Sequence, residues 1–261
     1  MFVGKMSSLV CHAVPPRALQ SFNANELLGI VPKFSSFSSH RFPKTSNILS
    51  MMECSDRDPA RVSNLSSDNG RQFSEKVVSF DLSPSTTLKL HKGDITLWSI
   101  DGSTDAIVNA AEELMLGGGG VDGAIHQAAG PQLVEACRVV PEVRPGVRCP
   151  TGEARITPAF LLPVSHVIHT VGPIYGEHDQ PEVLLANAYR NSLKIAKENK
   201  IQYIAFPAIS CGVYRYPHNE ASRVAISTIK EFSDGLKEVH FVLFSDTTYS
   251  VWLESAYELL K

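Results

Sequence analysis

Seven short β-branched, apolar runs that alternate with stretches of helical periodicity constrain this chain more than any other feature. From about residue 75 they read KVVSFDL, TTLKLHKG, DAIVNAA, EARITPAF, HVIHTVG, YIAFPAIS and VHFVLF, each bounded by turn formers, which is a strand signal. Between them GAIHQAAGPQLVEAC, PEVLLANAYRNSLKIAKEN, NEASRVAISTIKEF and TYSVWLESAYELL repeat apolar residues at the helical period. In the second of these, Val183, Ala186, Tyr189, Leu193 and Ala196 share a face, and Pro181 stands where a first helical turn tolerates it. Strands alternating with such helices imply an α/β fold, a three-layer α/β/α sandwich with a mixed, mostly parallel central sheet. The first two runs are separated by too short a gap for a crossover, so one sheet edge is expected to be antiparallel. Ligands of such sheets sit outside the carboxyl ends of the strands.

Charge divides the chain. Residues 1–52 hold Lys5, Arg17, Lys33, Arg41 and Lys44 against Glu26 alone, or +4, which leaves 19 basic and 26 acidic residues, or −7, for the remainder. The first segment is serine-rich and acid-poor and lacks the apolar core of a secretory signal, which fits an organellar transit peptide, plastid favoured over mitochondrion. The competing reading is a tail with no addressing role. A second start at Met51 or Met52 would give a cytosolic or nuclear form. Residues 53–74 read as a polar linker and 75–261 as the folded domain. No apolar run approaches the roughly 18 residues of a membrane span. Five cysteines, none in a C-x-x-C pair, argue against a disulfide framework and a zinc ribbon and for a reducing compartment. The acidity of the domain disfavours nucleic acid, and a monomer is expected.

Two loops fall at the carboxyl ends of predicted strands. LMLGGGGVDGAIH, residues 114–126, follows DAIVNA and opens a helix, where backbone N–H groups converge on an anion with the help of the helix dipole. Gly118, Gly120 and Gly123 satisfy G-x-G-x-x-G, but six residues separate the loop from its strand, unlike a dinucleotide fingerprint. Val121 after Gly120 excludes a Walker A loop. The bland alternative is tight helix-on-strand packing with no ligand. FPAISCGVYRYP, residues 206–217, brings Ser210 and Gly212 before the aromatic Tyr214, small residues that let a loop approach a diphosphate. With no Lys or Arg in the first loop, a bound phosphate would rest on main-chain amides.

GDITLWSIDGSTDAIVNAA, LGGGGVDGAIHQAAG, ITPAFLLP, VIHTVGPIY and FPAISCGVYRYP, in this order from about residue 88, resemble a macrodomain of the MacroD type, a family that binds ADP-ribose. The resemblance implies that Asp94 accepts from the exocyclic amine of adenine with Ile95 beside the base. It implies that Gly118, Gly119, Gly120 and Val121 wrap the diphosphate and distal ribose. Ser210, Gly212, Val213 and Tyr214 form the facing loop, Tyr214 over the distal ribose. It also implies that Asp122 orients or deprotonates a water near the anomeric carbon. Read as residues alone, Asp94 is equally a turn or cap residue, and Asp122 an N-cap for a helix beginning at Gly123.

Two positions depart from the family pattern. The motif Asn-Ala-Ala-Asn is here NAAE, so Asn109 is kept while Glu112 replaces the asparagine that contacts the distal ribose. A group that donates and accepts has become one that only accepts, close to Asp122, where one of two carboxylates would hold a proton above its usual pKa. Arg215 stands where the family commonly has glycine, adding a cation or losing a backbone conformation. His126 and His169 read as satisfied core residues, Cys211 lacks an activating histidine, and no metal-ligand motif or cofactor is implied. Arg144 and Arg148 read as solvated charge or as contacts to a modified partner protein. The leading expectation is therefore a hydrolase that uses Asp122, with Asn109 and Glu112, and water to release mono-ADP-ribose from acidic side chains or to deacetylate O-acetyl-ADP-ribose. A non-catalytic reader of ADP-ribosylated proteins and an ADP-ribose 1″-phosphate phosphatase are the alternatives.

Overall fold

The structure, a computed structural model, describes residues 77–261; the segments read as leader and linker lie outside the described residues. In chain order the strands are β1 (Val78–Ser83), β2 (Thr86–Lys92), β3 (Asp105–Ala110), β4 (Ala154–Pro158), β5 (His166–Thr170), β6 (Tyr203–Phe206) and β7 (Glu238–Leu243). The helices are α1 (Gly120–Ala129), α2 (Pro131–Arg138), α3 (Pro181–Glu198), α4 (His218–Phe232) and α5 (Asp246–Leu260), with a 3-10 turn at Ile95–Leu97. No helix of the described residues is long and apolar enough to cross a membrane.

The strands form one sheet in the order β1-β2-β7-β6-β3-β5-β4. From β2 to β5 neighbours are parallel, while β1 and β4 are antiparallel to theirs. The expectation of one antiparallel edge is thus corrected to two. The connection from β4 to β5, residues 159–165, is too short for a crossover helix, which forces β5 to turn back beside β4.

Both faces of the sheet are covered, so the strands alternate between two cores. Ala106, Val108, Ile168, Ile204, Phe206, Val239 and Phe241 pack with Leu185, Tyr189, Ile226 and Trp252 of α3, α4 and α5. Ile107, Val167, Ala205 and Val242 pack instead with Ile125, Ala129, Leu133 and Cys137 of α1 and α2. Burial on both sides explains why these strands read as continuous apolar runs. The period of two also places Asn109 on the same side as Ile107, facing α1.

Two helical expectations are adjusted. GAIHQAAGPQLVEAC is two helices, broken where Pro131 opens α2. In α3 the buried face is Leu185, Ala188, Tyr189, Ser192, Leu193 and Ala196, and Val183, taken as part of it, is exposed.

Candidate functional site

A cleft lies along the carboxyl edge of the parallel strands. One lobe, of about 450 Å³, is bounded by Asp94 and Ile95 after β2, by Val242, Leu243 and Phe244 at the end of β7, and by Cys211 and His218. A second, of about 250 Å³, is bounded by Glu112, Gly118, Gly119, Asp122, Ser210, Val213 and Tyr214. Gly120, Val121, Ala208 and Gly212 line both, so the lobes meet at the first turn of α1. Every expected ligand-binding residue therefore lies on this one cleft. Among the described residues neither lobe has a Lys or Arg in its lining. The first turn of α1 lines both lobes, and the N–H groups of a first helical turn have no partner within their own helix.

The glycines separate the two readings of the first loop. A Cβ on Gly123 would stand 2.5 Å from the Gly118 carbonyl oxygen, so Gly123 is required by packing. Around Gly119 and Gly120 no atom of the described residues lies within 4 Å of such a carbon. These two are bare toward open space, and Gly120 has φ 61, a left-handed conformation that suits glycine. Packing accounts for Gly123 and backbone conformation for Gly120, while the space beside Gly119 and Gly120 stays open to the cleft.

Asp122 is not the helix cap that its sequence position suggested. The helix begins three residues earlier than expected, at Gly120, with Gly119 as N-cap and no side-chain capping bond. Asp122 therefore sits inside the first turn, 3% exposed. Its Oδ1 accepts from Asn109 Nδ2 at 2.7 Å, and His126 Nε2, one turn on, lies 3.5 Å from the same oxygen. Oδ2 points toward Gly118, where a Cβ would come within 3.0 Å of it. Burial raises the Asp122 pKa above the ordinary carboxylate value; the Asn109 hydrogen bond and His126 pull it back, and Glu112 pushes it further up.

Glu112 turns onto its own loop. Its Oε2 accepts from Leu114 N at 3.1 Å and its Oε1 from Leu116 N at 3.2 Å, while its carbonyl takes Met115 N. Both oxygens are thus engaged in shaping the approach to the glycines. The same loop is held from the other side by Arg148, which donates to the Leu114 carbonyl and pairs with Glu142. Arg148 is largely buried and structural, whereas Arg144 is exposed and paired with Glu113.

Across the cleft Ser210 adopts φ 65, and its buried Oγ has no hydrogen-bond partner among the described residues. It packs so tightly on Gly172 that a Cβ there would overlap it. Arg215 keeps the left-handed backbone at φ 56, so the substitution has not cost the loop its conformation. Asp94 caps the 3-10 turn through Oδ1, which accepts from Thr96 N and Oγ1, and Oδ2 is left for a second partner. Burial pushes the Cys211 thiol up to about 12, which leaves it protonated and a poor nucleophile at neutral pH.

Sequence reasoning missed two neighbours. Phe244 is 83% exposed on the wall of the larger lobe. In the sequence it is only the last residue of the strand run VHFVLF. His126, expected as a core residue, adjoins Asp122, and the i to i+4 spacing is the signal for it. His126, Cys137 and His169 also bring ligand atoms within 4.8 Å of one another. Both ring nitrogens of His169 already have hydrogen-bond partners, and the Cys137 thiol is raised to about 12 by burial. That donor set suits a hydrogen-bonded core better than a metal centre.

Fold and cleft together define a three-layer α/β/α protein whose groove, without lysine or arginine among the described residues that line it, ends at a buried aspartate. The family model of the Macro domain matches residues 108–225. A macro domain-containing protein of Xanthomonas campestris is 50% identical over 170 residues, which cover 63% of this chain and 92% of that protein. A mutant Oceanobacillus iheyensis macrodomain with ADPR is 44% identical with a TM-score of 0.66, over 70% of this chain and 98% of that one. A Trypanosoma brucei macrodomain in complex with ADP-ribose is 37% identical with a TM-score of 0.56, over 64% of this chain and 68% of that one. The chain belongs to the Macro domain family.

Proposed function

We propose that the cleft binds ADP-ribose and that the protein is a MacroD-type hydrolase, which frees mono-ADP-ribose from acidic side chains or acetate from O-acetyl-ADP-ribose. The observation that carries this reading is the junction of two lobes at the first turn of α1, with the Asp122 carboxylate in the smaller one. Adenine fits the larger lobe, with its amine toward Asp94 Oδ2 and a face on Phe244 and Ile95. The diphosphate crosses at Gly120, Val121 and Gly212, and the distal ribose enters beside Gly118, Asp122, Val213 and Tyr214. Hydrogen bonds from amides to a charged acceptor contribute roughly 1.5–3 kcal/mol each, so three or four support micromolar affinity, about −8 kcal/mol.

Asp122 then acts on water. Its carboxylate takes one proton as the water oxygen bonds to the anomeric carbon. The bond from that carbon to the ester oxygen breaks with its electron pair, leaving a free carboxylate and a ribose hydroxyl. A raised pKa makes Asp122 a stronger base than a solvated carboxylate once it is ionised. Calorimetry with ADP-ribose, followed by turnover of an aspartate- or glutamate-linked conjugate and of O-acetyl-ADP-ribose, tests both halves. A folded protein that binds ADP-ribose and turns over neither substrate defeats the hydrolase reading.

Glu112 favours a second reading, a reader module, because its oxygens are held by the amides of Leu114 and Leu116 where an asparagine would meet the sugar. In a reader, Glu112→Asn increases a slow hydrolytic rate; an unchanged rate counts against it. Import into a plastid, proposed on the composition of residues 1–52, is checked by the location of the full chain fused to a fluorescent reporter.

A further inference from the structure

We propose that His169 is a positioning residue for Asp122, acting through Asn109, with Thr157 fixing which ring nitrogen carries the proton. The proposal rests on the reading of Asp122 as the group that activates water.

Four side chains from four elements form one buried line. Asn109 of β3 sends one amide hydrogen to Asp122 Oδ1 of α1 at 2.7 Å and the other to His169 Nδ1 of β5 at 3.2 Å. His169 Nε2 lies 2.9 Å from Thr157 Oγ1 of β4 and 3.7 Å from Cys137 Sγ of α2. Asn109 and His169 are register partners on adjacent strands, so the pleat sets them side by side. Asn109 and His169 are fully buried, and Thr157 is 4% exposed.

The hydrogens on this line have one consistent arrangement. Asn109 must present its NH₂ to Asp122, because a rotated amide would set Oδ1 against a carboxylate oxygen. That same NH₂ then faces His169 Nδ1, which must offer a lone pair. The ring proton is left on Nε2, where the Thr157 hydroxyl and the Cys137 sulfur accept it. Asn109 Oδ1 is the atom left over, buried and without a partner among the described residues. Were the ring proton on Nδ1, two donors would face each other and the Asn109 bond to Asp122 would weaken.

The groups around the ring keep it neutral. Burial lowers the His169 pKa to about 3, with a smaller contribution from His126 on α1. Cys137 on α2 stays a thiol, raised to about 12 by burial and then by Asp122. Thr157 and Asn109 carry no charge. The charged neighbour of the line is therefore Asp122, on which His126 and Glu112 act through space. A neutral ring of fixed tautomer does not compete for the proton of Asp122. It ties Oδ1 to the sheet and leaves Oδ2 for water.

Two measurements on the full chain test this. Long-range ¹H–¹⁵N spectra of the imidazoles, with His169 assigned by His169→Gln, are expected to show the Nε2–H form with no titration from pH 8 to pH 5. A protonated Nδ1, or a ring that titrates in that range, overturns the proposal whether or not the protein is a hydrolase. Thr157→Val is expected to lower kcat about tenfold, with KM and the ADP-ribose Kd within twofold. It also moves the acid limb of the kcat profile to higher pH, because the Asn109 bond that holds the Asp122 pKa down has weakened. Thr157→Ser is expected to restore both. An unchanged kcat and profile, or an equal loss of Kd and kcat that Ser does not rescue, overturns it. If the wild type binds ADP-ribose but turns nothing over, the hydrolase reading fails and the spectra still decide the hydrogen-bond line.

Discussion

Asn109 Nδ2 stands 2.7 Å from Asp122 Oδ1, across 13 residues of chain that include the whole glycine run. A strand residue thereby holds the first turn of α1 by its carboxylate, and the four glycines just before it need no side-chain anchor of their own. The bond occupies one oxygen of Asp122 and leaves the other on the side of the open lobe.

Asp122→Ala is expected to cut turnover by about 10²–10⁴, the usual contribution of a general base, and to weaken ADP-ribose binding far less. Because burial raises the Asp122 pKa, the wild-type rate should fall on acidification at a pH above the ordinary carboxylate range. Equal loss of binding and turnover in a folded variant would reduce Asp122 to a structural role.

Gly120→Glu fills space that is empty and adds negative charge where two lobes meet. ADP-ribose binding should weaken at least about tenfold, or 1.4 kcal/mol, by calorimetry. Unaltered affinity would mean that the diphosphate does not cross at this turn.

Phe244→Ala removes an aromatic ring that touches little protein, so the melting temperature should stay within about a degree. Affinity for ADP-ribose should drop about tenfold, since base stacking on an aromatic side chain contributes about 1–3 kcal/mol. ADP and ADP-ribose should suffer alike, and ribose 5-phosphate should not; a loss confined to ADP-ribose would place Phe244 at the wrong end.

Arg215→Gly relieves a side chain held at φ 56. A non-glycine residue in that region costs about 1–2 kcal/mol, partly offset by the greater freedom of an unfolded glycine. A gain of about 1 kcal/mol is expected by urea denaturation. Any destabilisation would show that the guanidinium makes a contact that outweighs the strain.

Much of the fold is written in the sequence because both sheet faces are covered, which makes each central strand an unbroken apolar run. The two antiparallel edges differ in legibility: β1 and β2 are joined by Pro84 and Ser85 alone, whereas β4 and β5 are joined by an irregular segment that hides its tightness. The lining of the candidate cleft is legible where it lies within one loop, as in Gly118–Asp122 or Ser210–Tyr214. It is not where it depends on an unusual backbone. Met115 at φ 59 brings the amides of residues 114 and 116 onto Glu112, and no pattern of residue types announces that. Phe244 escaped notice for another reason: its partners in the cleft come from loops far away in the chain, and a terminal strand phenylalanine is ordinarily core.

Phe244 and Val213 each leave more than four fifths of their surface to water, on opposite lobes of one groove. An occupant long enough to cover both would strip hydration from greasy surface at each end while its middle is gripped by polar amides. Its association should therefore carry a negative heat-capacity change, so that the enthalpy grows more favourable on warming. A molecule reaching only one end would show a smaller slope, which turns a temperature series into a ruler for how much of the groove is filled.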